Sequence, residues 1–176
     1  VGVIIALALI FDFGNGFNDA ANSVSTVVAT RVLSLRNAVI LAAFSNFIAA
    51  FIFGVAVATT IGKGLIDPSA VTLWIIFSGL IGAIFWVYIT TFLGLPVSAS
   101  HSLIGGYIGS ALAAVGFSSV IWNGVLKIVL FIFLAPLIGL ITAYVLFILV
   151  LFFVHKTPPS KINNHFKRLQ LISVFV

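Results

Sequence analysis

The chain has 176 residues, of which 62% are hydrophobic and only 6% charged, and its formal net charge is +5. Because soluble domains carry roughly a quarter of their residues as charged side chains, this composition excludes an ordinary soluble protein and indicates an integral membrane protein. The basic residues lie at the ends of apolar stretches and in one connecting segment, which argues against a nucleic-acid partner and for membrane lipid headgroups.

Several apolar stretches exceed the roughly 20 residues that a helix needs to cross a bilayer, and they lack the alternation of barrel strands. The predicted fold class is therefore all-α, a polytopic helical membrane protein. The absence of cysteine excludes disulfides, thiol catalysis and thiolate metal sites together. Since the chain starts inside one apolar run and stops as another begins, we expect it to be an internal piece of a longer protein.

The first apolar stretch, residues 1–13, is predicted to be a partial span. Gly14 and Gly16 permit backbone conformations that other residues resist, so we expect the helix to break there. Asn18 or Asp19 would cap its continuation, which is predicted to run to about residue 30.

The rest of the chain alternates apolar segments with turn residues. Further spans are predicted over 38–60, 71–92, about 98–115 and 120–154, with turns at 62–64, 67–69, 94–96 and 116–119. Pro96 suits the first turn of the helix that follows it. The stretch 120–154 is longer than one crossing and contains Pro136 and Gly139, so it is either one long kinked helix or two shorter pieces.

The predicted domain organisation is a transmembrane repeat over 1–154 with about five to six membrane segments, a basic loop over 155–168, and the start of a truncated transmembrane helix over 169–176. The loop holds four basic residues and no acid, so the positive-inside rule predicts that it faces the cytoplasm. Arg31 and Arg36 share that side if every long segment crosses once. They lie opposite if 98–135 is a re-entrant hairpin.

The first polar cluster in this apolar chain surrounds Asp19. The chain has only three acidic residues, Asp12, Asp19 and Asp67. At helical spacing one stripe contains Asp19, Asn22, Ser23, Thr26 and Thr30. A carboxylate with nearby carboxamides suits Na⁺, or a proton if the carboxyl group is desolvated. The alternative is that the carboxamides and hydroxyls only join helices by hydrogen bonds, and for Ser25 and Thr30 taken alone the two interpretations are equally good.

The second polar cluster follows Pro96 and contains Ser98, Ser100, His101 and Ser102. Helix N-termini offer free backbone N–H groups and a partial positive charge, which favour an anion such as phosphate. The alternative is that Ser98 only caps the helix, Ser100 and Ser102 bond back to it, and His101 bridges helices. The small residues that follow are predicted to let another helix approach closely: Gly105, Gly106, Gly109 and Ala113.

Both clusters resemble signatures of one family. The segment 16–23, Gly-Phe-Asn-Asp-Ala-Ala-Asn-Ser, with Val27 and Thr30 after it, resembles the G-x-N-D-x-A-N-[SA] signature of PiT-type inorganic phosphate transporters. The segment 95–102, Leu-Pro-Val-Ser-Ala-Ser-His-Ser, resembles that family's P-[VIA]-S-x-[ST]-H segment. The resemblance implies the N-terminal half of a secondary transporter built from two inverted repeats with broken helices, in which phosphate moves with Na⁺ or H⁺.

The resemblance and the polar stripe around Asp19 together give the candidate site residues. The candidate phosphate ligands are Asn18, Ser98, Ser100, His101 and Ser102. The candidate cation site comprises Asp19, Asn22, Ser23, Thr26 and Asn46. If Na⁺ and not H⁺ is the coupling ion, Asp19 and Asn22 would bind it, and no other cofactor is expected. Ala99 stands where some members have a further hydroxyl, and Asn46 matches several bacterial members where animal relatives have Glu, so we expect a multi-pass protein of a bacterial or archaeal cell membrane.

The expected partners are inorganic phosphate, the coupling cation, membrane lipid, a missing C-terminal half and, in one arrangement, a second copy of the chain. Transport of sulfate or another oxyanion is the nearest alternative function, and a non-transporting membrane subunit is another. An intramembrane hydrolase using Ser98 or Ser100 with His101 and Asp19 is disfavoured, because a serine and a histidine this close together at a helix start are poorly placed as nucleophile and base. No G-x-S-x-G elbow is present either.

Overall fold

A computed structural model of the chain describes residues 1–53 and 64–175. Almost all of these residues are helical, which confirms the all-α fold class. The α-helices described are α1 (Gly2–Ala29), α2 (Leu35–Phe53), α3 (Leu73–Phe92), α4 (Ala99–Ala114), α5 (Trp122–Val154) and α6 (Pro159–Phe175). The predicted end of the second span at residue 60 and the turn at residues 62–63 lie outside the described residues.

Among the described helices, α1, α3 and α5 are long and apolar enough to cross a membrane, and the chain is a multi-pass membrane protein. The helices form two compact units, one from Val1–Ser23 and Ile48–Trp122, the other from Val24–Phe47 and Asn123–Val176. Both polar clusters begin in the first unit.

Helix α1 runs without interruption through Gly14 and Gly16, so the predicted break there is wrong and neither Asn18 nor Asp19 is a cap. Glycine permits a break but does not require one, and in hydrocarbon a broken helix leaves backbone groups without partners. Gly14 serves a close approach instead, because a Cβ there would lie 2.8 Å from a ring carbon of Tyr88. The Tyr88 hydroxyl donates to the Ile10 carbonyl at 3.1 Å.

The predicted break between α3 and α4 is confirmed. Gly94 adopts a φ of +67°, a left-handed conformation that suits glycine after a helix end, and its N–H donates to the Thr91 carbonyl at 3.0 Å. Ser98 is the N-cap of α4. Pro96 therefore precedes the helix and does not belong to its first turn.

Helices α3 and α4 pack closely where two glycines meet. A Cβ at Gly79 would lie 3.2 Å from the Gly106 carbonyl oxygen, and one at Gly106 would collide with the Gly79 backbone. The packing role predicted for the small residues of α4 is thus confirmed at Gly106, whereas Gly105 and Gly109 have open space beside them. Ser110 adds an interhelical hydrogen bond to the Ile75 carbonyl at 2.9 Å.

The segment before α3 and the segment after α4 contact each other. Ile66 forms an isolated antiparallel bridge with Val120, and both Leu65 and Ile66 are buried. The predicted turn at Asp67 is confirmed as a short 3₁₀ helix, Pro68–Ala70, which Asp67 caps. The hydroxyl and the backbone N–H of Ser69 donate to the Asp67 carboxylate and lower its pKa from the ordinary value of 3.8.

Helix α5 is a single helix of 33 residues with Pro136 inside it, which decides between the two alternatives for this stretch. Helix α6 begins at Pro159, a residue that is favourable in a first turn, so most of the predicted basic loop is helical. Helix α6 belongs to the second unit, where Val174 packs against a cluster formed by Val24, Val27, Ala38 and Ala42.

Candidate functional site

Asn18 is the residue of the first cluster with the most defined environment. Its side-chain Nδ2 donates to the Gly14 carbonyl, one turn earlier on α1, at 3.1 Å. Its Oδ1 lies 3.0 Å from the hydroxyl of Thr91 on α3. The carboxamide is thus held from both sides, and these two hydrogen bonds leave its second N–H bond and one lone pair of Oδ1 unused.

Asp19 follows directly on α1 and is exposed. Its backbone carbonyl accepts a hydrogen bond from the Ser23 hydroxyl at 3.0 Å, so that hydroxyl is engaged with its own helix. Asn22 is exposed on the next turn. The carboxylate and carboxamide that we predicted as cation ligands therefore lie on neighbouring turns of one continuous helix.

The other predicted cation ligands belong to the second compact unit. Thr26 and Asn46 are exposed there, Thr26 on α1 and Asn46 on α2. The Thr30 hydroxyl oxygen lies 2.8 Å from the Thr26 carbonyl and 3.1 Å from Gln170 Oε1 on α6. For Thr30 the helix-joining interpretation thus has direct support.

The second cluster lies at the N-terminus of α4. The Ser98 side chain accepts the His101 backbone N–H at 3.4 Å, and the Ser102 hydroxyl donates to the Ser98 carbonyl at 2.8 Å. Both hydrogen bonds were predicted by the alternative interpretation, in which Ser98 caps the helix and Ser102 bonds back to it. The Ser98 hydroxyl proton is not used by the cap, because the oxygen acts there as acceptor.

These side chains also open onto a cleft of about 490 Å³. Ser98, His101 and Ser102 line it from α4, Gly82 and Trp86 from α3, and Pro96 and Val97 from the connection. The cleft thus combines hydroxyl groups, an imidazole and the first turn of a helix, whose dipole favours an anion. Ser100 is exposed but does not line this cleft, so the structure separates it from the other candidate phosphate ligands.

The two clusters share helix α3 as a neighbour. Thr91 contacts Asn18, whereas Gly82 and Trp86 face the cleft. Thr91 lies five positions after Trp86, and at about 100° per residue the two side chains point about 140° apart around the helix. Asn18 and Asp19 do not line the cleft, so the structure brings Ser98, His101 and Ser102 together but does not add the Asn-Asp pair to them.

Sequence reasoning did not identify α3 as the common scaffold. The predicted site residues did not include Thr91, which contacts Asn18, or Gly82 and Trp86, which line the cleft. A signal was present, because a threonine near the end of an apolar span and just before a Gly-Leu-Pro break needs a partner for its hydroxyl. Its partner could not be read from spacing, since the two residues are 73 positions apart.

The chain is similar to known transporters over most of its length. A model of the phosphate transporter family matches residues 15–176. A protein of Rhizobium meliloti (strain 1021), described as a "Probable low-affinity inorganic phosphate transporter", is 48% identical over 170 residues, which are 97% of this chain and 51% of that protein. A protein of Bacillus subtilis (strain 168) with the same description is 38% identical over 173 residues, covering 97% of this chain and 52% of that protein.

A solved structure described as "The sodium-dependent phosphate transporter" matches with a TM-score of 0.83 and 37% sequence identity. The match covers 92% of this chain and 42% of that one. The chain therefore spans about half the length of the curated relatives described above.

Proposed function

Because the chain belongs to the phosphate transporter family, we propose that it forms about half of a secondary active transporter that carries inorganic phosphate across the membrane together with a cation. The family and the relatives are transporters and not enzymes. In agreement, the Ser98 oxygen accepts from the backbone N–H of His101 and not from its imidazole, a geometry unsuited to a nucleophile and its base.

The observation that carries this proposal is the cleft at the start of α4. A phosphate ion leaving water needs several hydrogen-bond donors in place of its hydration shell. The cleft offers the Ser98 and Ser102 hydroxyls, the His101 ring and the dipole of a helix start in a volume of about 490 Å³. We place phosphate at Ser98, His101 and Ser102, with Asn18 and Ser100 joining them only in another state of the transport cycle.

The coupling cation is proposed to be Na⁺, bound by Asp19 and Asn22 with Ser23 as a further oxygen ligand. Carboxylate and carboxamide oxygens are hard ligands that suit such a cation. The solved relative is described as sodium-dependent, which supports Na⁺ over H⁺ for this chain. A carboxylate near a phosphate site repels the anion unless a cation lies between them, and this gives a physical reason for obligatory coupling.

The remaining half of the pathway is proposed to come from the part of the transporter that the relatives have beyond the matched region, or from a second copy of this chain. Both arrangements supply a further wall to a cleft that is open in the described unit.

The proposal is tested with the full-length parent protein in proteoliposomes, using radiolabelled phosphate and imposing Na⁺ and pH gradients separately. Uptake driven by an inward Na⁺ gradient and unaffected by excess sulfate is the expected result. Uptake driven only by the pH gradient would replace Na⁺ by H⁺, and competition by sulfate would indicate a broader oxyanion transporter. If neither gradient drives phosphate uptake, the proposal is wrong, and transport of another oxyanion or a non-transporting subunit takes its place.

A further inference from the structure

The Thr91 hydroxyl is the described link between α3 and the Asn-Asp motif of α1. Its oxygen lies 3.0 Å from Asn18 Oδ1 and 2.6 Å from the carbonyl of Val87, one turn earlier on its own helix. A hydroxyl has one proton, so it donates to only one of these acceptors at a time. The choice determines how the Asn18 carboxamide is oriented.

Two arrangements are possible in principle. If Thr91 donates to Asn18 Oδ1, then Asn18 Nδ2 faces the Gly14 carbonyl and donates to it at 3.1 Å, while the Val87 carbonyl, 2.6 Å from the Thr91 oxygen, receives no proton from it. If Thr91 donates to Val87, the carboxamide must turn over to donate to Thr91. Its oxygen would then face the Gly14 carbonyl oxygen, and two acceptors repel each other. The Gly14 carbonyl therefore favours the first arrangement, and the Val87 carbonyl competes with Asn18 Oδ1 for the Thr91 proton.

The backbone of Thr91 is tied to the second cluster. Its carbonyl accepts the N–H of Gly94 at 3.0 Å, and Gly94 holds the left-handed conformation that ends α3. From Gly94 the chain passes through Pro96 to Ser98, the cap of α4. One residue thus contacts the Asn-Asp motif through its side chain and the connection leading to the cleft through its backbone.

We propose that Thr91 is a positioning residue for phosphate: its hydroxyl fixes the Asn18 carboxamide so that an N–H bond, and not the carbonyl oxygen, is presented to the anion. The proposal rests on the proposed function, in which Asn18 joins the phosphate site during the cycle. It assigns to α3 an active part in the site, beyond packing against α4.

The chain offers a matched control in the adjacent residue. Thr90 is buried, and its hydroxyl lies 2.7 Å from the Trp86 carbonyl and 3.0 Å from the Val87 carbonyl, both on its own helix. Thr90→Val and Thr91→Val remove the same hydroxyl from neighbouring positions of α3. Only the second change removes a hydrogen bond to α1.

The experiment measures the initial rate of phosphate uptake by the full-length parent protein and by its Thr91→Val, Thr91→Ser and Thr90→Val variants. For Thr91→Val we expect a roughly three- to tenfold higher apparent KM for phosphate with Vmax little changed, because one uncharged hydrogen bond is lost. Thr91→Ser keeps the hydroxyl and is expected to restore the parent KM. Thr90→Val is expected to match the parent.

A purely structural role of Thr91 would lower the amount of active protein, and hence Vmax, while leaving KM unchanged, and that result would overturn the proposal. Equal effects of Thr90→Val and Thr91→Val, or a Thr91→Ser variant as impaired as Thr91→Val, would overturn it too. These outcomes require uptake by the unaltered parent. Absence of that uptake would overturn the proposed function and this inference with it.

Discussion

At the scale of single residues, Asp19 should be indispensable for coupled transport. Replacing its carboxylate by a carboxamide in Asp19→Asn keeps the size of the side chain but removes the negative charge that attracts the cation. We expect Na⁺-driven phosphate uptake to be abolished while the helical content stays unchanged. Proteoliposome uptake and far-ultraviolet circular dichroism measure the two quantities.

Asp67→Asn provides the matched control for this change. Asp67 is also exposed, but it caps a short 3₁₀ helix in a connection and accepts hydrogen bonds from Ser69, a role that asparagine can also fill. This variant should transport phosphate as the parent does. Normal coupled uptake by Asp19→Asn would remove Asp19 from the cation site.

Ser98 has two roles that can be separated by substitution. Ser98→Ala removes both the helix cap and a hydroxyl that lines the cleft, and it should weaken apparent phosphate affinity more than Ser25→Ala does. Ser98→Asp keeps a good capping side chain but places a negative charge in the cleft. We expect it to retain thermal stability and to lose phosphate affinity further than Ser98→Ala.

The measurements are the apparent KM for phosphate and the unfolding temperature of the purified full-length variants in detergent. Equal KM values for Ser98→Ala and Ser25→Ala would count against an anion site at this helix start. If Ser98→Asp matched the parent in affinity, the side chain would only be a cap.

At the scale of elements, the α3–α4 pair depends on the contact between Gly79 and Gly106. A methyl group at Gly106 would collide with the backbone of Gly79, and backbone cannot move aside as a side chain can. Gly106→Ala should therefore destabilise the pair by about 1–3 kcal/mol. Gly109→Ala on the same helix meets open space and should be neutral or stabilising by up to about 1 kcal/mol.

The comparison is made by thermal unfolding of the two full-length variants in the same detergent. A Gly106→Ala variant as stable as Gly109→Ala would show that the helices do not approach closely at this point. Loss of uptake in Gly106→Ala without loss of stability would assign the glycine to the transport cycle instead.

The elements that the sequence predicted well are those with a local cause. Gly94 and Pro96 ended one helix, and Ser98 began the next, because a left-handed glycine and a capping hydroxyl act through neighbouring backbone groups. The predicted break at Gly14 was wrong because this glycine makes room for the Tyr88 ring on α3. No local sequence pattern reveals that contact. The start of α6 was missed since its basic residues suggested a loop.

At the scale of the whole molecule, the residue types of the site were predictable and their partners were not. Asn18, Asp19 and Ser98 could be identified from the sequence because they are polar residues in an apolar chain. Placing such groups in a membrane costs free energy, so their presence indicates a function. That Asn18 contacts Thr91, and that Ser98 shares a cleft with Trp86, depends on packing between helices far apart in sequence. Composition alone was enough to predict an integral membrane protein, because contact with lipid favours apolar side chains along nearly the whole chain.

Contacts within the second unit indicate on which side of the membrane the basic residues lie. Within the second unit, the Thr30 hydroxyl near the end of α1 lies 3.1 Å from Gln170 Oε1 on α6, and Val174 packs against the cluster of Val24, Val27, Ala38 and Ala42. Thr30 directly precedes Arg31, and Gln170 lies two residues after Arg168, so this contact brings the two basic residues to the same end of the second unit. This supports the alternative in which Arg31 and the basic segment share one side, which the positive-inside rule makes cytoplasmic.

Sidedness is directly testable because the chain has no cysteine of its own. In the full-length protein with any other cysteine replaced, single Arg31→Cys and Arg168→Cys variants should react with an impermeant maleimide from the same side of oriented vesicles, the cytoplasmic one. Ser69→Cys and Leu95→Cys flank α3, whose 20 residues extend about 30 Å, so these controls should react from opposite sides. The prediction is wrong if the controls react from opposite sides and Arg31→Cys and Arg168→Cys do so too. In that case the segment 98–135 is re-entrant, and the contact between α1 and α6 does not exist in the membrane.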